Sequence, residues 1–284
     1  MPEMEVIVSD DSTTNAVKSI VAELNDSRIK YYHHDPSLGS PSNWNYAIGM
    51  AKGDLIKIMH HDDYFSDRDC LTKFSSAFER NPSLELVYCW SKIVYRSTGA
   101  EFIHKIEDGH VKRIKRQPEF LFFRNMIGAP SAVMFRKKEE LSFDPRYKWL
   151  VDVEFYIRFL KEYKKSECIN ETLVTIVSGE EGQITREVSK DKQRVIAENL
   201  TLFAEIFNSE LDNKKSMLFF QELFDEYDIH DMKQLASEFE VPSLIHNFMA
   251  ETFLDKPKHQ LLKRIKKRLL TSRYNKRIFK IERF

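Results

Sequence analysis

The chain has 284 residues, 42% of them hydrophobic, with 44 basic and 44 acidic side chains. This length and composition suit one full globular domain with a smaller appendage and exclude an intrinsically disordered chain. No apolar run approaches the roughly 18–20 residues of a membrane span, and residues 1–12 read as an acidic strand segment rather than a secretion leader.

The first predicted strand, Glu5–Ser9, runs into Asp10-Asp11, and a helix follows through Ala16, Ile20, Val21 and Leu24, with Ser12 or Thr13 available as its N-cap. A second strand is expected at Arg28–His33 and a helix at Asn43–Ala51. Gly53 breaks the chain before a third strand, Leu55–Met59, which ends at His60-His61-Asp62-Asp63. Cys70–Arg80 reads as a helix stopped by Asn81-Pro82, and Leu84–Arg96 as a long strand. This rhythm argues for an α/β sheet with helices on its faces, and ligands of such sheets sit beyond the carboxyl ends of the strands. Both Asp pairs fall at such ends.

All eight glycines lie between Gly39 and Gly182. The glycine-free remainder has helical spacing at Val195, Leu200, Leu202, Phe203 and Phe207, so 1–188 reads as one domain and 189–284 as a helical extension. Within that extension, residues 256–284 hold 12 Lys/Arg against the single acid Glu282, leaving the body about 11 charges negative. Leu261, Leu262, Ile265 and Leu269 alternate there with Lys263, Arg264, Lys266, Lys267 and Arg268, as in an interfacial membrane helix or one docked on an acidic body. No nucleic-acid motif accompanies the charge, and no nucleic-acid partner is expected. The odd, unpatterned cysteines Cys70, Cys89 and Cys168 suit a reducing cytoplasm, at least two of them as buried thiols.

Two adjacent carboxylates at a buried strand end repel each other, and a divalent cation with a diphosphate compensates them naturally. Asp62-Asp63 therefore reads as a metal and nucleotide site, or else as capping for a helix opened by Ser66 and Asp67. Asp10-Asp11 reads either as a ligand-recognition pair or as a helix N-terminal turn favoured by the dipole.

Four ordered blocks, "EVIVSDDSTT", "GSPSNWNYAIGMAKGDLIKIMHHDD", "GAPSAVMF" and "WLVDVEFYIRF", resemble the family 2 glycosyltransferases over roughly residues 3–185. The resemblance implies a GT-A-type, Rossmann-like mixed sheet flanked by helices, with an α-helical C-terminal extension. It implies inverting transfer from a nucleotide sugar, a UDP sugar above all, to a glycan or lipid-linked acceptor in surface polysaccharide assembly, with Mg2+ or Mn2+. Residue by residue, Asp10 and Asp11 would bind the nucleoside, and Asn43 and Asn45 would pack beneath the donor. Asp62 and Asp63 would serve donor and metal, with His60 where the family's first acid falls, and Asp152 would be the base. Glu180, a further candidate metal ligand, stands where the family often has a His near metal or diphosphate, followed by Gln183 and Thr185 in pattern. Trp149 and Glu154 are acceptor-side candidates, with Arg158 a structural partner of Glu154 one turn on. The resemblance also implies a strand and helix ahead of Glu5, the strand lying inside the sheet. A chain without it is expected to be a weak or inactive enzyme, and the alternative reading is a truncated relative acting as a binding or scaffold protein.

Overall fold

A computed structural model describes residues 4–179, 188–207 and 213–254. They form two compact units, one of described residues 4–121 and 126–179, the other of 122–125, 188–207 and 213–254.

The first unit opens with β1 (Val6–Asp10), α1 (Ala16–Leu24) and β2 (Ile29–His33), a right-sized unit for a parallel strand pair, and β1 and β2 do pair in parallel. Neither Ser12 nor Thr13 caps α1: Asn15 holds the cap position without a side-chain bond, and the Ser12 hydroxyl turns to the Thr14 carbonyl. After α2 (Ser42–Met50) comes the larger sheet, built from β3 (Leu55–Lys57), β4 (Tyr64–Phe65), β5 (Leu86–Tyr95), β6 (Ala100–His104), β7 (Val133–Arg136) and β8 (Ser166–Ser178). Its order is β3-β7-β5-β8-β4, with β6 paired to β5, and only the β5–β8 pairing is parallel.

The β1–β2 pair hydrogen-bonds to no strand of the larger sheet among the described residues. Glu5 ties it there instead, accepting from the Lys52 and Gly53 amides just before β3. This corner is thinly covered: α1 buries no residue, and its Ile20 and Leu24 are 58% and 61% exposed.

The core lies on the larger sheet. Helix α3 (Cys70–Arg80) places Cys70, Phe74, Ala77 and Phe78 on one face, the i, i+4, i+7, i+8 spacing of a core-facing helix, and they pack with Val87, Cys89, Met134, Leu173 and Val174. Cys70 and Cys89 are buried free thiols. The basic surface helix α4 (Asp108–Arg116) follows β6, and α5 (Val151–Tyr163) follows β7.

The second unit is helical: α6 (Lys192–Ile206), α7 (Asn213–Glu226), α8 (Met232–Glu238) and α9 (His246–Leu254). The Asp191 and Asp231 side chains cap α6 and α8 by accepting from the Arg194 and Gln234 amides. Phe122 belongs here, with its ring against Phe203 and Phe219, although the sequence assigns its segment to the first region. Among the described residues no helix is long and apolar enough to cross a membrane. The basic stretch 258–284 lies outside the described residues.

Candidate active site

Three consecutive residues in the first turn of α2 draw the candidate site together. The Asn43 amide donates to the Ser9 carbonyl at the end of β1 (3.1 Å). Trp44 stacks on His60, just past β3, with ring centroids 4.8 Å apart and planes at 29°. Asn45 donates to the Phe143 carbonyl (2.7 Å) and accepts from the Phe143 amide (2.8 Å). Phe143 in turn stacks on Phe155 of α5 at 4.1 Å. Side chains on neighbouring positions of a helical turn fan out in different directions, so a single turn can grip three separate segments.

At the end of β1 the two acids divide their work. Asp10 is buried and accepts from the Ser12 amide (2.9 Å) and the Tyr31 hydroxyl (2.7 Å). Burial raises its pKa, but the bonds from Ser12 and Tyr31 outweigh that and hold it below the usual carboxylate range. The same bond pushes the Tyr31 hydroxyl up to about 12. Asp11 accepts from the amides of Leu38 (3.1 Å) and Gly39 (2.8 Å) and so fastens the loop before α2. Gly39 sits at φ +69°, where a side chain would be strained.

Past β3, the Asp63 side chain is turned inward and only 2% exposed, while Asp62 is half-buried. Burial raises Asp63 first. The Ser131 hydroxyl and Val177 amide lower it and the Asp62 charge raises it again, for a net value of about 6. His60 is pushed down to about 4, chiefly by burial, and its Nε2 has no hydrogen-bond partner. It is therefore a neutral imidazole near pH 7. Ser66 and Asp67 do not cap α3, which begins after Asp69.

Of the pair, Asp63 is turned inward to the Ser131 hydroxyl and the Val177 amide, so half-buried Asp62 is the carboxylate that could hold a cation. Among the described residues no three His, Cys, Asp or Glu side chains converge to hold a metal by themselves. The donor set suits Mg2+ or Mn2+ held by one or two carboxylates and completed by phosphate oxygens and water.

Asp152 lies in the first turn of α5, not at its cap, which is Leu150. Its Oδ1 accepts from the Val153 amide (2.8 Å), and its charge helps to raise the buried Tyr156 hydroxyl, behind burial itself. Glu154, the second acceptor-side candidate, lies on the same helix. It is buried, and Arg158 donates to both of its oxygens (2.6 and 2.9 Å), the partnership expected one turn on. Trp149 is half-buried just before α5. Glu180, Gln183 and Thr185 lie outside the described residues.

Sequence reasoning passed over Tyr31, Ser131 and Lys57. The Ser131 hydroxyl accepts from the His60 amide (3.0 Å) and serves Asp63, and the Lys57 ammonium reaches the Ser131 carbonyl. Lys57 was visible as the one charge inside the apolar run "LIKIM"; the other two have no local signal.

The family model described as "Glycosyl transferase family 2" matches residues 1–142. An uncharacterized glycosyltransferase of Methanocaldococcus jannaschii is 25% identical over 173 residues, covering 60% of this chain and 58% of its own. WcaA of Escherichia coli, a glycosyl transferase named for colanic acid biosynthesis, is 25% identical over 189 residues, covering 66% of each chain. The chain thus spans less than two thirds of the length of these curated relatives. Among solved structures, Staphylococcus aureus TarS 1–349 in complex with UDP superposes with a TM-score of 0.52 at 15% identity, over 92% of this chain and 83% of that one. The mannosyltransferase PcManGT of Pyrobaculum calidifontis, in complex with GDP-Man and Mn2+, gives 0.51 at 17%, over 96% and 73%. These likenesses identify the fold as GT-A-type, and the family match identifies the lineage: the chain belongs to glycosyl transferase family 2.

Proposed function

We propose that this chain is an inverting glycosyltransferase that moves a sugar from a nucleoside-diphosphate donor, a UDP sugar, to a glycan or lipid-linked acceptor in surface polysaccharide assembly. The observation that carries the reading is the α2 turn, whose Asn43, Trp44 and Asn45 bind the ends of β1 and β3 and the segment leading to α5. In this reading Asp10 recognises the nucleoside, Asp11 shapes the loop around it, and Asn45 supports the site from beneath. Asp62 supplies the carboxylate that would hold Mg2+ or Mn2+, and Asp63 locks the turn from inside. The metal, when bound, stabilises charge on the leaving diphosphate. Asp152 takes the proton of the acceptor hydroxyl as that oxygen attacks the anomeric carbon from the face opposite the leaving group. It lies in the first turn of α5, at the positive end of the helix, where a carboxylate is favoured. Trp149 would flank the acceptor, and residues 258–284 would meet the cytoplasmic face of a membrane.

The supporting relatives are the colanic acid protein and the solved structures holding UDP and GDP-Man with Mn2+. Titration calorimetry with UDP and GDP sugars, with and without Mn2+, tests the reading: saturable heat should need the metal and vanish in D62A. No binding of either donor in any condition would overturn it. One observation favours the rival reading of a binding or scaffold relative, namely the β1–β2 pair standing apart from the larger sheet. Donor binding without transfer to any acceptor would select it.

A further inference from the structure

Strand β3 alternates, and Leu55 and Met59 on either side of Lys57 pack against the Phe74 cluster. Position 57 is therefore an apolar position by period, yet it holds an ammonium. Lys57 Nζ lies 5.5 Å from the Phe65 ring centroid and 5.2 Å from that of Phe74. Its hydrogen bonds go to two backbone carbonyls, Ile58 (2.8 Å) and Ser131. Among the described residues it has no carboxylate within ion-pair distance. A methionine would fill the same space with no charge to desolvate, so packing alone does not call for lysine here.

The Ser131 carbonyl is the far end of that contact, and the residue's hydroxyl is the hub of the turn after β3. It accepts from the His60 amide (3.0 Å) and bonds the Asp63 carboxylate, while the Asp63 amide closes the turn on the His60 carbonyl (3.1 Å). We propose that Lys57 is a positioning residue: by gripping the Ser131 carbonyl it fixes the His60–Asp63 turn on which the donor acids stand. The lysine spans from β3 to the short turn Pro130–Ala132 ahead of β7, a junction that strand pairing alone does not reach. The consequence for donor binding rests on the transferase reading above; the fixing of the turn does not.

Backbone hydrogen exchange measured on K57M and S131A, beside their thermal unfolding, tests this. In K57M the loss of a desolvated charge should offset much of the cost of two carbonyls left without their donor, so the unfolding midpoint should change little. The His60 amide should nevertheless exchange roughly two- to tenfold faster, the scale of one weakened hydrogen bond. S131A, which keeps the ammonium but removes the hydroxyl that receives the His60 amide, gives the full loss of protection against which K57M is read, and K57Q carries the test if K57M does not fold. With a UDP or GDP sugar and Mn2+, K57M should raise KM and leave kcat unchanged. Unchanged His60 exchange in the folded Lys57 variant, or loss of protection spread evenly over the sheet, would overturn the proposal. Local loss at His60 in a wild type that binds no nucleotide would instead keep the positioning role and sink the donor-site reading.

Discussion

Asn45 holds the backbone of Phe143 from both sides, donating to its carbonyl and accepting from its amide across 98 positions of sequence. Through Phe143 and the ring of Phe155 stacked on it, α2 is coupled to the helix that carries Asp152. N45A should therefore cost about 1–3 kcal/mol in urea unfolding, because it leaves a partly buried amide and carbonyl unpaired. N45D, which can still accept, should lose less. Equal losses in the two variants would contradict the two-sided grip.

The two acids past β3 should separate in experiment. D62A is expected to abolish metal-dependent donor binding while the protein still folds, as urea unfolding would show. D63A should loosen the His60–Ser131 turn and weaken donor binding only in part. If D63A alone removed all metal dependence, the inward acid would be the ligand and the assignment would reverse.

For Asp152 the expected signature is kinetic. D152N should lower kcat by roughly 10²–10⁴, the range of a lost general base, with donor affinity and stability intact. E154Q should do the opposite. It leaves Arg158 without its paired charge and should destabilise the fold by about 1–3 kcal/mol, yet the folded fraction should keep its kcat. A large kcat loss in E154Q at full stability would instead place Glu154 on the acceptor side.

The Tyr31–Asp10 bond sets a pH dependence whose sign follows from both partners. Asp10, held low when folded, contributes stability above the usual carboxylate pKa, and this is lost as pH falls through its depressed folded value. Tyr31, raised to about 12, contributes stability below pH about 10 that is lost as pH climbs toward 12. Y31F should flatten the melting-temperature profile at both ends. A profile identical to wild type would mean that the bond carries no stability.

The sequence by itself determined the lineage and most of the elements as far as β5. Periodicity found α3 at its observed ends, because Cys70, Phe74, Ala77 and Phe78 repeat at helical spacing and Asn81-Pro82 stops them. The order of four motif blocks named the family. Local signals were poorer at α1, where Asn15 replaced the expected Ser12 or Thr13 cap, since capping depends on how the chain enters the helix. Only the tertiary structure decided how the candidate residues share the site. Glu154 went to Arg158, Asp63 turned inward to Ser131, and Asn45 reached Phe143, each through partners that sequence spacing leaves unspecified. Lys57 shows the reason most plainly: a charge in an apolar strand is visible in the sequence, but the Ser131 carbonyl that receives it lies 74 positions away and comes close only in the folded chain.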